Sequence, residues 1–149
     1  MEYTGIWEKV LNSDEMPEFV FSVGDRYCKA HLIVWGVISL PLLTVYGFGI
    51  IVFLVAYFYY GFYLKRANAF AFTNRRILVH RGWLSTGLRS IDYHQIVEVS
   101  VSERFFQRVI TRSGNLGIKA AGQASHDVVL ADIGSPYDVK KKLDELRNR

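Results

Sequence analysis

Cysteine occurs once in this chain of 149 residues, at Cys28, which excludes an internal disulfide framework. Its place at the edge of an apolar run makes it a packing residue, with lipidation as the alternative. The phosphate loop, the dinucleotide fingerprint, the nucleophile elbow and the zinc motif are all missing. His31, His80, His94 and His126 are scattered, with no ligand partner at metal-binding spacing. Basic residues are dispersed without interleaved stacking aromatics, which argues against nucleic acid. The first 26 residues are acidic and have no apolar core near the start, so no secretory signal is visible. Catalysis, cofactors and metals therefore find no support. Internal repeats and low-complexity tracts are absent as well.

The largest absence is of charge. From Leu32 to Leu64, 33 residues pass without one ionic side chain. A hydrocarbon core of ~30 Å takes roughly 20 helical residues, and one straight helix of this length would overshoot it. Two short crossings fit better. Pro41 and the Gly47-Phe48-Gly49 triplet are residue types that bend helices or reverse chains. The first span is expected over about Ala30 to Tyr46, kinked at Pro41, and the second over about Ile50 to Leu64. Arg26 and Lys29 precede the run and Lys65 and Arg66 close it, so the positive-inside bias puts both termini in the cytoplasm and only the turn outside. Tyr57, Phe58, Tyr59, Tyr60, Phe62 and Tyr63 suit the headgroup level. The alternative is a helical hairpin buried in a soluble core.

Composition changes across this run. Residues 1–31 hold three basic and six acidic side chains, net −3, and residues 65–149 hold fifteen basic and eight acidic, net +7, which together recover the net charge of +4. A basic domain under an anionic membrane face is drawn to it, at about 1 kcal/mol per nearby Lys or Arg. Three regions are expected: residues 1–29, with an amphipathic helix and an extended lead-in; residues 30–64, the transmembrane hairpin; and residues 65–149, one small cytoplasmic domain.

Tyr3, Ile6, Trp7, Val10 and Leu11 recur at helical spacing. The polar face of Glu2, Glu8 and Lys9 lacks the cationic excess of membrane-surface helices, so the helix is expected to pack on the domain or a neighbouring chain. Phe19, Phe21 and Val23 alternate like a strand. After Arg66 the period becomes two. Phe70 and Phe72, then Ile77 and Val79, flank an Asn74-Arg75 turn. Further strands are read at Leu88 to Asp92, Ile96 to Ser102, Leu116 to Ala120 and Asp127 to Ala131, six or seven in a curled antiparallel sheet. A closing helix is expected, with Ser135 as cap, Pro136 at its first position, Asp138 in a box-like start, and Val139, Leu143 and Leu146 buried.

The stretch Ala71-Phe72-Thr73-Asn74-Arg75-Arg76-Ile77-Leu78, then Arg81-Gly82-Trp83-Leu84, then Ile91-Asp92-Tyr93-His94-Gln95-Ile96-Val97-Glu98-Val99-Ser100-Val101 resembles the membrane-flanked bacterial pleckstrin-homology-like (PH-like) family. There a similar Thr-Asn-Arg-Arg hairpin follows a pair of membrane helices. The resemblance covers roughly Asn68 to Leu146 and the helices before it. It implies a membrane α-helical hairpin followed by a mainly-β PH-like curled antiparallel barrel with a C-terminal α-helix. It implies no reaction. Thr111-Arg112-Ser113-Gly114 departs from the Gly-rich turn common in the family.

In eukaryotic relatives of the fold a long basic loop between the first two strands holds inositol phosphates. Asn74-Arg75 is too short for that. About seven extended residues separate Arg66 from this turn, or roughly 20 Å, so Arg75 and Arg76 are expected beyond the ~8 Å Debye length from the bilayer. The candidate lipid contacts are Lys65, Arg66, Arg81 and Trp83, with simple interfacial anchoring as the alternative. Phe105, Phe106, Val109 and Ile110 are expected to plug a barrel end or to meet a partner chain. Arg104, Arg108 and Arg112 would form a solvated face or contact phosphate or acidic protein; Phe105, Phe106 and Arg108 are the candidate partner contacts. Asp92, His94 and Glu98 are expected on one solvated strand face. Two functions remain. The first is a membrane-tethered interaction or scaffolding module, pairing with itself or another membrane protein, with Gly36 and Ser39 permitting close helix approach. The second is a sensor of anionic phospholipid.

Overall fold

The computed structural model describes residues 7, 9–44, 47–82, 87–121 and 128–148. Among the described residues, seven strands form two antiparallel sheets, one ordered β1-β2-β3-β4 and the other β5-β6-β7. They are β1 (Pro17–Ser22), β2 (Asn68–Thr73), β3 (Arg76–Arg81), β4 (Gly87–Asp92), β5 (Ile96–Ser102), β6 (Ser113–Ala120) and β7 (Val128–Gly134). Alternating apolar side chains from both sheets meet in one core, with Phe70, Phe72, Ile77, Leu116, Ile118, Leu130 and Ile133 fully enclosed. The strand read from Phe19 and Phe21 is β1, which pairs with β2 and packs its two rings, tilted or edge-on, against Phe70 and Phe72.

Between β1 and β2 the chain makes a helical hairpin. The first helix, α1 (Asp25–Leu42), begins earlier than expected and takes in Asp25, Arg26 and Lys29. Pro41 lies one residue from its end rather than at a mid-span kink, so its missing N–H and its ring disturb only the last turn of the helix. The second, α2, runs without a break over Phe48–Ala67, its middle part Tyr57–Tyr63 widened into a π-helix. Gly47 starts it with φ of +73°, open to glycine at little cost. Gly49 belongs to the packing rather than the turn: a Cβ there would lie 2.2 Å from the Ser39 carbonyl oxygen, so the backbones touch. Of the two helices, only Phe48–Ala67 is long and apolar enough to cross a membrane; the charges in the first turns of α1 set it apart. The expected pair of crossings is thus not supported: one helix, not two, has the length and apolarity of a span.

Trp7, at 2 % exposure, packs with Ala69, Ala71 and Leu78 on the outer face of the first sheet, with Val10 and Leu11 beside it. The leading segment therefore packs on the domain; its earlier residues lie outside those described. A 3-10 turn at Tyr93–Gln95 separates β4 from β5, so Asp92, His94 and Glu98 do not share one strand face. The final helix, α3 (Pro136–Arg147), buries Val139, Leu143 and Leu146. Its start differs from a capping box: Ser135 has φ of +48° and its hydroxyl caps nothing. The amides of Asp138 and Val139 donate instead to the Ser135 carbonyl, at 3.0 and 3.2 Å.

Candidate functional site

The expected lipid contacts gather where the hairpin leaves the barrel, but the protein itself engages them. Lys65 is ion-paired with Asp25, tying the bases of the two helices together. The Ser22 hydroxyl reaches the carbonyls of Lys65 and Asn68 from β1. The Arg66 guanidinium lies 3.9 Å from the centre of the Phe62 ring, a cation–π contact that leaves the residue exposed. Arg81, opposite Asn68 in the β2–β3 register, donates to the Val129 carbonyl. With Arg89 and Leu88 it lines a cleft of about 300 Å³ between β4 and β7. Trp83 lies outside the described residues. Above this level, His31 stacks between Tyr27 and Tyr60, with centroids 4.2 and 5.0 Å away.

The Thr73-Asn74-Arg75-Arg76 turn is at the opposite end of β2, as the two-residue hairpin predicts. Its chemistry is internal. The Thr73 hydroxyl accepts from the amides of Arg75 and Arg76 at 3.3 and 3.1 Å and donates to Glu15 at 2.7 Å. Arg76 grips the same carboxylate with two bonds, Nε to Oε1 at 2.9 Å and a terminal nitrogen to Oε2 at 2.7 Å. The Glu15 side chain is 1 % exposed, and the Arg76 guanidinium holds its carboxyl down at about 2. The Tyr93 hydroxyl donates to the Thr73 carbonyl at 2.6 Å, with burial pushing its pKa up. Two motif residues thus bolt the leading segment onto the turn, and Arg75 stays exposed. Glu15 was not legible as a site residue: it sits in a polar break, and its partner is 61 positions away.

Phe105, Phe106, Val109 and Ile110 do not plug the barrel. They are 73, 71, 62 and 60 % exposed. A helical turn at Phe105–Phe106 leads into the π-helix Gln107–Thr111, oriented so that Thr111 points inward, within 2.6 Å of the Ser113 hydroxyl. Arg104, Arg108 and Arg112 are exposed beside them. Asp132 fixes this segment. Its carboxylate accepts from Gln107 at 2.7 Å, and its carbonyl accepts the Gly24 amide at 2.8 Å. Asp132 has φ of +53°, held by the bond from its amide to the Asn115 side chain at 2.9 Å. Asp132 follows the strand read at Asp127 to Ala131, and nothing in the sequence marked this role. Among the described residues no group of three or more His, Cys, Asp or Glu could hold a metal ion.

The sequence model of the bacterial PH domain family matches residues 20–147. Two crystal structures share the fold at low identity. A protein of the DUF1696 family with a pleckstrin-homology domain, from Shewanella loihica PV-4, is 12 % identical, with a TM-score of 0.53 over 96 % of this chain and 91 % of its own. The pleckstrin-homology domain from Shewanella amazonensis SB2B is 13 % identical, with a TM-score of 0.54 over 96 % of this chain and 83 % of its own. No curated protein matches the chain.

Proposed function

The chain belongs to the bacterial PH domain family, and from that premise we propose that it is a membrane-anchored, non-catalytic interaction module. Its hairpin inserts in the cell membrane, and its barrel and both termini are cytoplasmic. The observation that carries this reading is the outward surface of α1 and α2. Ile33, Val34, Val37, Leu40, Ile50, Ile51, Leu54 and Val55 are all exposed, an apolar surface far beyond the scattered residues a soluble monomer shows to water. The hairpin is short: the charge-free part of α1, Ala30 to Leu42, spans ~20 Å at ~1.5 Å per residue, so the turn lies at the outer headgroups of a thinned bilayer. A mainly apolar groove of about 400 Å³, lined by Trp35, Ile51, Val52, Val55, Ala56, Tyr59 and Tyr60, supports pairing through the spans, with a second copy or another membrane protein. The competing reading, a headgroup sensor built on Lys65, Arg66 and Arg81, is weakened because Lys65 and Arg81 have partners within the chain.

Alkaline carbonate extraction of membranes tests the anchor. The full chain should stay in the pellet, and its release into the supernatant would refute insertion. Crosslinking in native membranes followed by mass spectrometry tests pairing. Adducts between chains, or with a membrane protein, are expected; monomer alone under all conditions would refute it.

A further inference from the structure

We propose that the β5–β6 connection, residues 103–112, is a second membrane-seating element, whose apolar face enters the headgroup region of an anionic bilayer beside the base of the hairpin. The inference rests on the reading that the hairpin is inserted. Its first support is position. β5 ends and β6 begins at the edge where Ser113 pairs with Gly134 and Val23 bridges to Ile133, one residue before Gly24 leads into α1. Asp132 then ties Gln107 of the connection, through its carboxylate, to Gly24 at the start of α1, through its carbonyl. The segment is thus locked at the level of the Asp25–Lys65 pair, where the chain would enter the bilayer.

Its second support is pattern. Arg108 follows Arg104 by one turn, its amide bonded to the Arg104 carbonyl at 2.9 Å, and Phe105, Phe106, Val109 and Ile110 are all exposed beside them. Large exposed apolar groups accompanied by arginines make the composition of segments that lie in a membrane interface. A solvated loop would not hold four apolar side chains at 60 % exposure or more. Arg112 has a further place: with Arg26 of α1 it lines a cleft of about 280 Å³, completed by Gly24, Asp25, Thr111, Gly134 and Ser135, which the proposed seating would bring to the lipid phosphates. Arginine suits phosphate there through its planar, forked donors. Two attachments, the hairpin and this segment, would prevent the barrel from swivelling on α2 and would hold one face towards the cytoplasm.

The test uses the full chain in phosphatidylcholine vesicles with or without phosphatidylglycerol, on a Cys28→Ala background. An environment-sensitive fluorophore is placed in turn at Val109→Cys, at Val55→Cys within the hairpin, and at exposed Arg75→Cys. With phosphatidylglycerol present, the Val109 label should emit to the blue of the Arg75 label and resist aqueous iodide. In the triple variant Arg104→Gln, Arg108→Gln and Arg112→Gln, that shift and protection should be lost while the Val55 label stays protected. A Val109 label as accessible as the Arg75 label, with Val55 protected, would overturn this inference alone. Accessible labels at both Val109 and Val55 would overturn the hairpin reading with it. Protection at Val109 that follows the protein-to-lipid ratio would assign the face to a second copy and also overturn the proposal.

Discussion

Replacing Glu15 by Gln should loosen the leading segment from the barrel. The carboxyl is held at about 2 against an ordinary 4.5, and about 1.4 kcal/mol per pKa unit makes the ionised form worth about 3 kcal/mol at neutral pH. The side chain is 1 % exposed, so solvent screening removes little of this. Gln keeps the shape and can still accept from Arg76, but it opposes the guanidinium with a neutral amide. A loss of about 2–3 kcal/mol is therefore expected, in line with the price of breaking a buried pair. The pH dependence has a definite sign. The folded pKa lies below the unfolded one, so the stabilisation is complete above about pH 4.5 and disappears as pH falls towards about 2. Chemical denaturation of the detergent-solubilised chain measures both. Trp7 is the reporter, because it is buried against Ala69, Ala71 and Leu78; Trp35→Phe and Trp83→Phe remove the other indoles. The acid-side loss of stability should be smaller in the Glu15→Gln variant than in the parent, the remainder coming from carboxylates such as Glu98, which Lys119 holds low. A destabilisation below about 0.5 kcal/mol, the scale of an exposed pair, or an unchanged acid slope would refute the clamp.

Two further substitutions probe the frame. Gly49→Leu would press side-chain atoms into the Ser39 carbonyl and Leu43, so it should lower the melting temperature in detergent. Gly36→Ala should be tolerated, since its Cβ would meet only the Phe53 ring at 3.7 Å; equal melting of both variants would contradict the close crossing at Gly49. Tyr93→Phe leaves the Thr73 carbonyl without its 2.6 Å donor and should cost about 1–2 kcal/mol in the same denaturation assay.

What the sequence made legible was local. Alternation in Phe70–Phe72 and Ile77–Val79 marks β2 and β3, the Asn74-Arg75 turn follows from its neighbours, and the stripe Val139, Leu143, Leu146 faces the core as its spacing requires. The long-range pairings were not legible. Lys65 and Asp25 are 40 positions apart and Arg76 and Glu15 are 61 apart, so Lys65, expected at the lipid, and Arg76, expected only to lie beyond its reach, both turn out to brace the fold. Phe105 and Phe106 illustrate the converse: helical spacing identifies an apolar face but not its direction, which is set by the inward Thr111 and by the bond from Gln107 to Asp132. Pro41 and Gly49 were both read as chain-bending residues, yet one falls near a helix end and the other at a helix crossing.

Insertion of the hairpin is tested most directly by the sidedness of its turn. Thr44 is exposed just beyond the end of α1, and Arg75 is exposed at the far tip of the β2–β3 hairpin. On the Cys28→Ala background in intact cells, a membrane-impermeant maleimide should label Thr44→Cys directly and Arg75→Cys only after permeabilisation. Labelling of both without permeabilisation, or of neither until the membrane is opened, would contradict a hairpin that crosses the bilayer and returns.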